Sequence, residues 1–363
     1  MALAFPLLPG TPTTPAEQIA AALVDPGFGV VFSDHMAQAT WTRGVGWHDD
    51  QIGSYQAFAL PPGAAVLHYA QEIFEGLKAY RRDDGSIWLF RPELNAQRLN
   101  RSAERMDLPV LPEEDFLTSV RQLVQADAAW VPAAGEETLY LRPFMFAAES
   151  FLGVRSAREV VYAVVAGPAG PYFASGVSPV DIWVSKTYSR AGSGGTGAAK
   201  CGGNYASSLM AGKEAHEHGC SQVLFTDAAE HEWIEELGGM NVFFVTSDRR
   251  LLTPASDNVL AGITRQSILE LADDFGLTAQ HRPISLTEML AGIAARDIVE
   301  AFACGTAAVV TPIARFRFER DGDEAEATLA QPQGEATMAL RRHLVDLQWG
   351  RVPDPRGWTV RAV

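Results

Sequence analysis

The sequence predicts an α/β fold of α+β character, divided into two domains. Three observations lead there. The chain has 363 residues, and at roughly 150 residues per domain that length exceeds a single core. Short runs rich in β-branched and aromatic residues alternate with segments whose apolar positions recur at helical spacing. Between two such series lies AGPAGPYFASGVSP (Ala166–Pro179), rich in glycine and proline, where an interdomain connection is expected. The expected division is a smaller N-terminal domain over 1–170, a connection over 171–180 and a larger C-terminal domain over 181–363.

Taken in chain order, Ala65–Tyr69 and Ile87–Phe90 are short strand candidates, the second following the turn Asp83-Asp84-Gly85. Leu94–Met106 carries Leu94, Leu99 and Met106 among charged residues, an amphipathic helix that stops before Pro109. Glu113–Ala129 begins after Pro112, with Phe116, Val120, Leu123 and Val124 on one helical face. Strands are expected at Thr138–Leu141 and Val160–Val165. Beyond the connection, Asp181–Lys186, Gln222–Thr226, Asn241–Thr246 and Ala307–Val310 read as strands. Ile263–Phe275 reads as a helix with Gly276 as its stop.

Composition narrows the function classes. Twenty-nine basic against 44 acidic residues give a net charge of −15, which repels a phosphate backbone; no basic patch offsets it. Nucleic acid is therefore not an expected partner. No apolar stretch reaches the ~18 residues that span a bilayer. Cys201, Cys220 and Cys304 cannot all pair, and their spacing suits neither a disulfide framework nor zinc. The apolar N-terminal run is cut by Pro6 and Pro9 and lacks basic residues, so a secretory leader is not expected. Together these point to a reducing, cytoplasmic setting and to no metal.

The chemistry centres on GTGAAKCGGNYASS (Gly195–Ser208), where Lys200 has four glycines within five positions. Glycine lets a ligand approach the backbone closely. Gly192, Gly194 and Gly197 also satisfy G-x-G-x-x-G, but Gly202 and Gly203 interrupt the continuous helix a dinucleotide site needs. The Walker pattern fails because Lys200 follows alanine and precedes Cys201. A carboxylate in EELGGMN, a Gly-Ile-Thr before a helical pattern and a late Gly-Thr-Ala complete the set.

That set resembles the branched-chain amino-acid aminotransferases, fold-type IV enzymes that use pyridoxal phosphate. The likeness extends over LHYAQEIFEGLKAY (Leu67–Tyr80), LFRPELNAQRL (Leu89–Leu99), LYLRPF (Leu139–Phe144), EELGGMN (Glu235–Asn241), LAGITRQS (Leu260–Ser267) and ACGTAAVV (Ala303–Val310), besides the lysine segment. It implies a two-domain architecture with the active site in the cleft. It also implies transamination of leucine, isoleucine and valine with 2-oxoglutarate by a ping-pong route.

By resemblance Lys200 is the Schiff-base lysine and proton shuttle. A lysine of pKa ~10.4 is only about 0.04% neutral at pH 7, so burial and neighbouring charge must favour its neutral form. The resemblance gives Glu236 the ring nitrogen and Tyr205 the 3′-oxygen. It gives Arg98, Ile263, Thr264 and Thr306 the phosphate, for which a helix start supplies backbone N–H groups. Phe28, Tyr69, Phe74, Tyr140 and Tyr172 become pocket walls, and Arg142 the partner of a distal carboxylate. Ala307, with Thr306 and the Tyr69 hydroxyl, would hold the α-carboxylate. Leu152 and Val154 match residues lent by a neighbouring subunit, which implies a homodimer. Read without the family, Glu236 is one acid among Glu230, Glu232 and Glu235, and Arg98 an ordinary arginine on a helix surface.

Two departures stand out. Ala308 and Thr311 occupy the positions of a redox Cys-x-x-Cys found in mammalian members, so thiol switching is not expected there. Gly239 replaces a threonine found near the ring in some members, and Cys201 and Cys304 read as small buried residues. Two rivals remain: a D-amino-acid aminotransferase or aminodeoxychorismate lyase of the same fold type, and a nicotinamide oxidoreductase using the glycine match.

Overall fold

The structure, a computed structural model, describes residues 2–133, 135–170 and 177–363. The chain divides into two compact units. The first comprises Met1–Ala174, Ala199–Gly202 and Asp346–Val363; the second comprises Ser175–Ala198 and Gly203–Val345. Lys200 thus belongs to the first unit, although the residues on both sides of its short segment belong to the second. Part of the expected connection, 171–176, lies outside the described residues.

Among the described residues the first unit holds an eight-stranded sheet. Its strands are β1 (His35–Thr42), β2 (Gly46–Ser54), β3 (Glu72–Phe74), β4 (Leu77–Arg81), β5 (Ile87–Phe90), β6 (Thr138–Ala147) and β7 (Glu159–Ala169), joined by the chain's last strand, Thr359–Arg361. The spatial order is Thr359–Arg361, β5, β4, β6, β7, β1, β2, with β3 beside β6. Every described pairing in this sheet is antiparallel. Four helices accompany it among the described residues: α1 (Ala16–Ala22), α2 (Ala65–Tyr69), α3 (Pro92–Arg105) and α4 (Glu113–Ala126). On α4 the expected face of Phe116, Val120, Leu123 and Val124 is wholly buried.

The period of β6 decides what the site receives. Leu139, Leu141, Pro143 and Met145 are buried on one face, while Tyr140, Arg142 and Phe144 stand half-buried on the other. Successive strand side chains point to opposite faces, so LYLRPF delivers a tyrosine and an arginine to the same side. On α3, Asn95, Arg98 and Ser102 recur at helical spacing and are all buried. Arg98 is therefore not the surface arginine that the residues alone suggest; it faces inward in a polar stripe.

The second unit holds a nine-stranded sheet among the described residues. Its strands are β8 (Val180–Val184), β9 (Gln222–Thr226), β10 (Ile234–Leu237), β11 (Asn241–Thr246), β12 (Arg250–Pro254), β13 (Thr278–Arg282), β14 (Ile298–Gly305), β15 (Val309–Arg320) and β16 (Asp323–Thr328). The order is β10, β9, β8, β15, β14, β11, β12, β13, with β16 against β15. Pairings β8–β9, β8–β15 and β12–β13 are parallel. Its helices are α5 (Gly202–Ala206), whose first residue falls in the other unit, α6 (Leu209–Glu217), α7 (Ile263–Leu271), α8 (Leu286–Ala294) and α9 (Glu335–Gln348), whose end returns to the first.

Two expected strands are corrected. Ala65–Tyr69 is the helix α2, closed by Ala70 in the left-handed region at φ 47°. A five-residue apolar run has no periodicity to separate strand from helix, and alanine and leucine tolerate either. Of Ala307–Val310, only the second half is strand: Val309 and Val310 open β15, and Gly305 pairs with Val309 across the β14–β15 hairpin, which leaves residues 306–308 to reverse the chain. The expected helix 263–275 is α7 followed by a tighter 3-10 turn, Ala272–Phe275, and Gly276 ends it at φ 63°.

Candidate active site

In the first unit, β3 and α3 hold Lys200 by its backbone. Phe74 N–H donates to the Lys200 carbonyl at 2.9 Å. Lys200 N–H donates to Ser102 Oγ at 3.0 Å, and Gly202 N–H donates to a Glu72 carboxylate oxygen. Lys200, Cys201 and Gly202 are thereby pinned at both ends. The side chain lies over Phe74, with Nζ 4.7 Å from the ring centroid. Burial, helped by Arg98, pulls the amine's pKa down from 10.5 to about 8, against the opposing pull of Glu75 and Tyr140. At pH 7 roughly one amine in ten is then neutral, against the few per ten thousand of a free lysine.

Arg98 is bound to Glu75 along one edge of its guanidinium. Nε donates to Oε1 at 2.7 Å and Nη2 to Oε2 at 2.9 Å. Burial alone would push the Glu75 carboxyl up; Arg98 and then Lys200 outweigh it and hold it below its usual range. Burial likewise raises Glu72, only partly offset by the Gly202 N–H and Arg142.

Of the expected walls, Phe74 and Tyr140 stand beside the amine. Arg142 lies 4.8 Å over the Phe74 ring and 5.3 Å over Tyr140, and its Nη2 donates to the Tyr140 hydroxyl at 3.2 Å. Among the described residues its buried Nε has no partner. Phe28 meets Tyr140 edge-on at 5.0 Å. A Cβ at Gly76 would fall on the Tyr140 hydroxyl, so only glycine admits the ring there. Tyr69, at the end of α2, donates its hydroxyl to the Leu152 carbonyl and stacks on Phe151 at 6.3 Å. Leu152 and Val154 are exposed, 73% and 88%. Tyr172 lies outside the described residues.

The second unit carries the other expected residues. Glu236 on β10 is buried. Its Oε1 accepts from Leu260 N–H at 3.0 Å and from Arg190 Nη2 at 2.8 Å, and its Oε2 accepts from Asn241 Nδ2 at 2.9 Å. Ile263 and Thr264 are the first two residues of α7, and no side chain caps them. The Cβ position of the N-cap, Gly262, is taken by Asn241 Oδ1. An uncapped helix start with bare backbone donors suits an anion. Thr306 and Ala307 sit in the β14–β15 turn, next to Val309 at φ 59°, a strained geometry for a β-branched residue. Tyr205 and Gly239 line a cavity of about 760 Å³; a Cβ at Gly239 would stand 3.8 Å from the Tyr205 ring, so a small side chain would fit. Cys201 and Cys304 are buried, and burial pushes the Cys304 thiol up, away from reactivity.

Unit by unit, the residues fit a phosphorylated pyridine aldehyde: a readily deprotonated amine, a buried carboxylate held as an acceptor, and a donor-rich helix start. No group of His, Cys, Asp and Glu among the described residues could hold a metal, and no helix there is long and apolar enough to cross a membrane.

The comparisons define the class first. The family model for amino-transferase class IV matches residues 72–316, which places the site in a transferase. The chain is 51% identical over 355 residues to the branched-chain-amino-acid aminotransferase of Mycobacterium tuberculosis, covering 96% of this chain and 95% of that one. It is 52% identical over 345 residues to that of Mycolicibacterium smegmatis, covering 93% of each. The Escherichia coli branched-chain amino acid aminotransferase shares its fold at a TM-score of 0.74 and 27% identity, over 90% of this chain and 100% of that one. The chain belongs to the class IV aminotransferases, in the branched-chain-amino-acid aminotransferase group.

Sequence reasoning missed Glu75, Ser102, Arg190 and Asn241. Glu75 had a signal: a lone carboxylate between the apolar residues Ile73, Phe74 and Leu77. Arg190 had none, because the carboxylate it pairs with, Glu236, lies far along the chain; Asn241 did have one, standing with Glu236 in the EELGGMN segment.

Proposed function

We propose that this enzyme moves an amino group between leucine, isoleucine or valine and 2-oxoglutarate. Two half-reactions follow one another, so that the amino donor leaves as its 2-oxo acid before the acceptor enters. The observation that carries the reading is the Lys200 amine, drawn to about pH 8 by burial and Arg98 in a chain 51% identical to a named branched-chain enzyme.

Pyridoxal phosphate, when bound, supplies an electron sink for the pair left as the substrate's Cα–H bond breaks. Lys200 Nζ would take that proton from Cα and deliver it to the carbon that was the cofactor's aldehyde, and would carry it the opposite way in the second half-reaction. Glu236, held as an acceptor by Arg190, Asn241 and Leu260, would take the ring nitrogen. Tyr205 takes the 3′-oxygen. Arg98, the N–H groups of Ile263 and Thr264, and the Thr306 hydroxyl take the phosphate. Phe28, Tyr69, Phe74, Tyr140 and Tyr172 exclude water from an aliphatic side chain. Arg142 pairs with the distal carboxylate of glutamate, while its contacts with Phe74 and Tyr140 shelter the charge when that carboxylate is absent. Ala307 and Tyr69 hold the α-carboxylate.

Leu152 and Val154 serve a second copy of the chain, so the working form is a homodimer. The expected domain division at 171–180 and a cytoplasmic setting belong to the same reading.

Steady-state assays with L-leucine, D-alanine and aminodeoxychorismate test it. The reading expects turnover with L-leucine and 2-oxoglutarate and parallel double-reciprocal lines. Activity with D-alanine alone would overturn it.

A further inference from the structure

Glu75 lies between β3 and β4 and is wholly buried. Besides its two bonds from Arg98, its Oε2 accepts from Asn95 Nδ2 at 2.7 Å and from Gly76 N–H at 3.2 Å. Four donors around one desolvated carboxylate keep it ionised, and a guanidinium gripped along its Nε–Nη2 edge has one orientation. None of the roles assigned above uses this residue.

Lys200 shares the surroundings of that pair. It is faced by Arg98 from α3, by Glu75, and by Tyr140 and Arg142 from β6; Glu72 on β3 binds the N–H of Gly202. Two of these groups are cations, so a buried amine beside them sheds its proton readily. A carrier that serves both half-reactions must also take the proton back. Among the described groups that face the amine, Glu75 is the wholly buried carboxylate, and it is locked to one of the two cations.

We propose that Glu75 is a positioning residue of the transamination site, fixing the Arg98 guanidinium and keeping Lys200 able to regain a proton as well as lose one. The proposal rests on the reading of Lys200 as the proton carrier.

The test is trace acetylation of the full-length, cofactor-free protein across roughly pH 6 to 11, with Lys200 followed by peptide mass spectrometry. Wild type should show a midpoint near 8. Glu75→Gln should lower it by about one unit, and Arg98→Gln should raise it by a similar amount. Glu75→Asp, which keeps the charge, should restore the wild-type midpoint. A folded Glu75→Gln protein with an unchanged midpoint would overturn the proposal. If that variant does not fold, the double variant Glu75→Gln/Arg98→Gln carries a neutral pair in its place. Its midpoint should fall below that of Arg98→Gln alone, and equality of the two would overturn the proposal. This labelling needs neither cofactor nor substrate, so its failure strikes Glu75 alone; failure of the aminotransferase reading would show instead as absent turnover with L-leucine.

Discussion

Phe74 and Lys200 are coupled twice: the Phe74 N–H donates to the Lys200 carbonyl at 2.9 Å, and the Phe74 ring lies 4.7 Å beneath Nζ. The backbone bond fixes where the lysine starts, and the ring fixes where its amine ends. Between them the side chain is half-buried with its amine against the ring, and loss of water around the amine is the main cause of its lowered pKa.

That burial leaves a trace in stability. The folded pKa of Lys200, about 8, lies below its ordinary 10.5. Between those values the unfolded chain binds more protons than the folded one, so stability rises with pH across that window. Cofactor-free wild type should therefore gain on the order of 2 kcal/mol between roughly pH 7.5 and 10.5 relative to Lys200→Met. Paired urea melts at the two pH values measure it; equal changes in both proteins would refute the burial argument.

Arg98→Met leaves the Glu75 carboxylate buried with Asn95 and Gly76 still donating to it. Stripping one partner from a buried pair costs about 3–5 kcal/mol. The denaturation midpoint of the cofactor-free protein should drop accordingly. Glu75→Gln/Arg98→Met should recover part of the loss, since the stranded charge is gone.

In the proposed reading, Arg142 is the residue on which dual specificity turns. Arg142→Gln should reduce kcat/KM for 2-oxoglutarate by about a hundredfold, the loss of a charge-assisted, bidentate contact. The half-reaction with leucine, followed by the cofactor's absorbance change, should stay within a few-fold of wild type. Equal losses on both sides would assign Arg142 to the general frame of the site.

Gly262 has no room for a methyl group, because Asn241 Oδ1 fills its Cβ position and Asn241 also holds Glu236. Gly262→Ala should push Asn241 off the carboxylate and disturb the start of α7. The dissociation constant of pyridoxal phosphate should rise by about tenfold, a cost typical of overpacking. Fluorescence titration of the cofactor-free protein measures it.

Local pattern carried much of the fold into view. The face of α4 and the strands at Ile87–Phe90, Gln222–Thr226 and Asn241–Thr246 stand where their residues suggest, because periodicity and β-branched content act over a few residues. Ala65–Tyr69 was not legible, since five apolar residues suit either conformation and a left-handed Ala70 decided it. The inward turn of Arg98 was hidden for another reason. Its partner, Glu75, is 23 residues away, and charge pairing at that separation has no period to read. Likewise the return of Thr359–Arg361 to the edge of the first sheet depends on a strand laid down some 270 residues earlier.

The most direct test of the account is to find which lysine carries the cofactor. Borohydride reduction of the loaded enzyme, digestion and peptide mapping should place the added pyridoxyl phosphate mass on Lys200. Lys78, buried on β4, is the internal control. Mass on Lys78, or on any lysine but Lys200, would contradict the account.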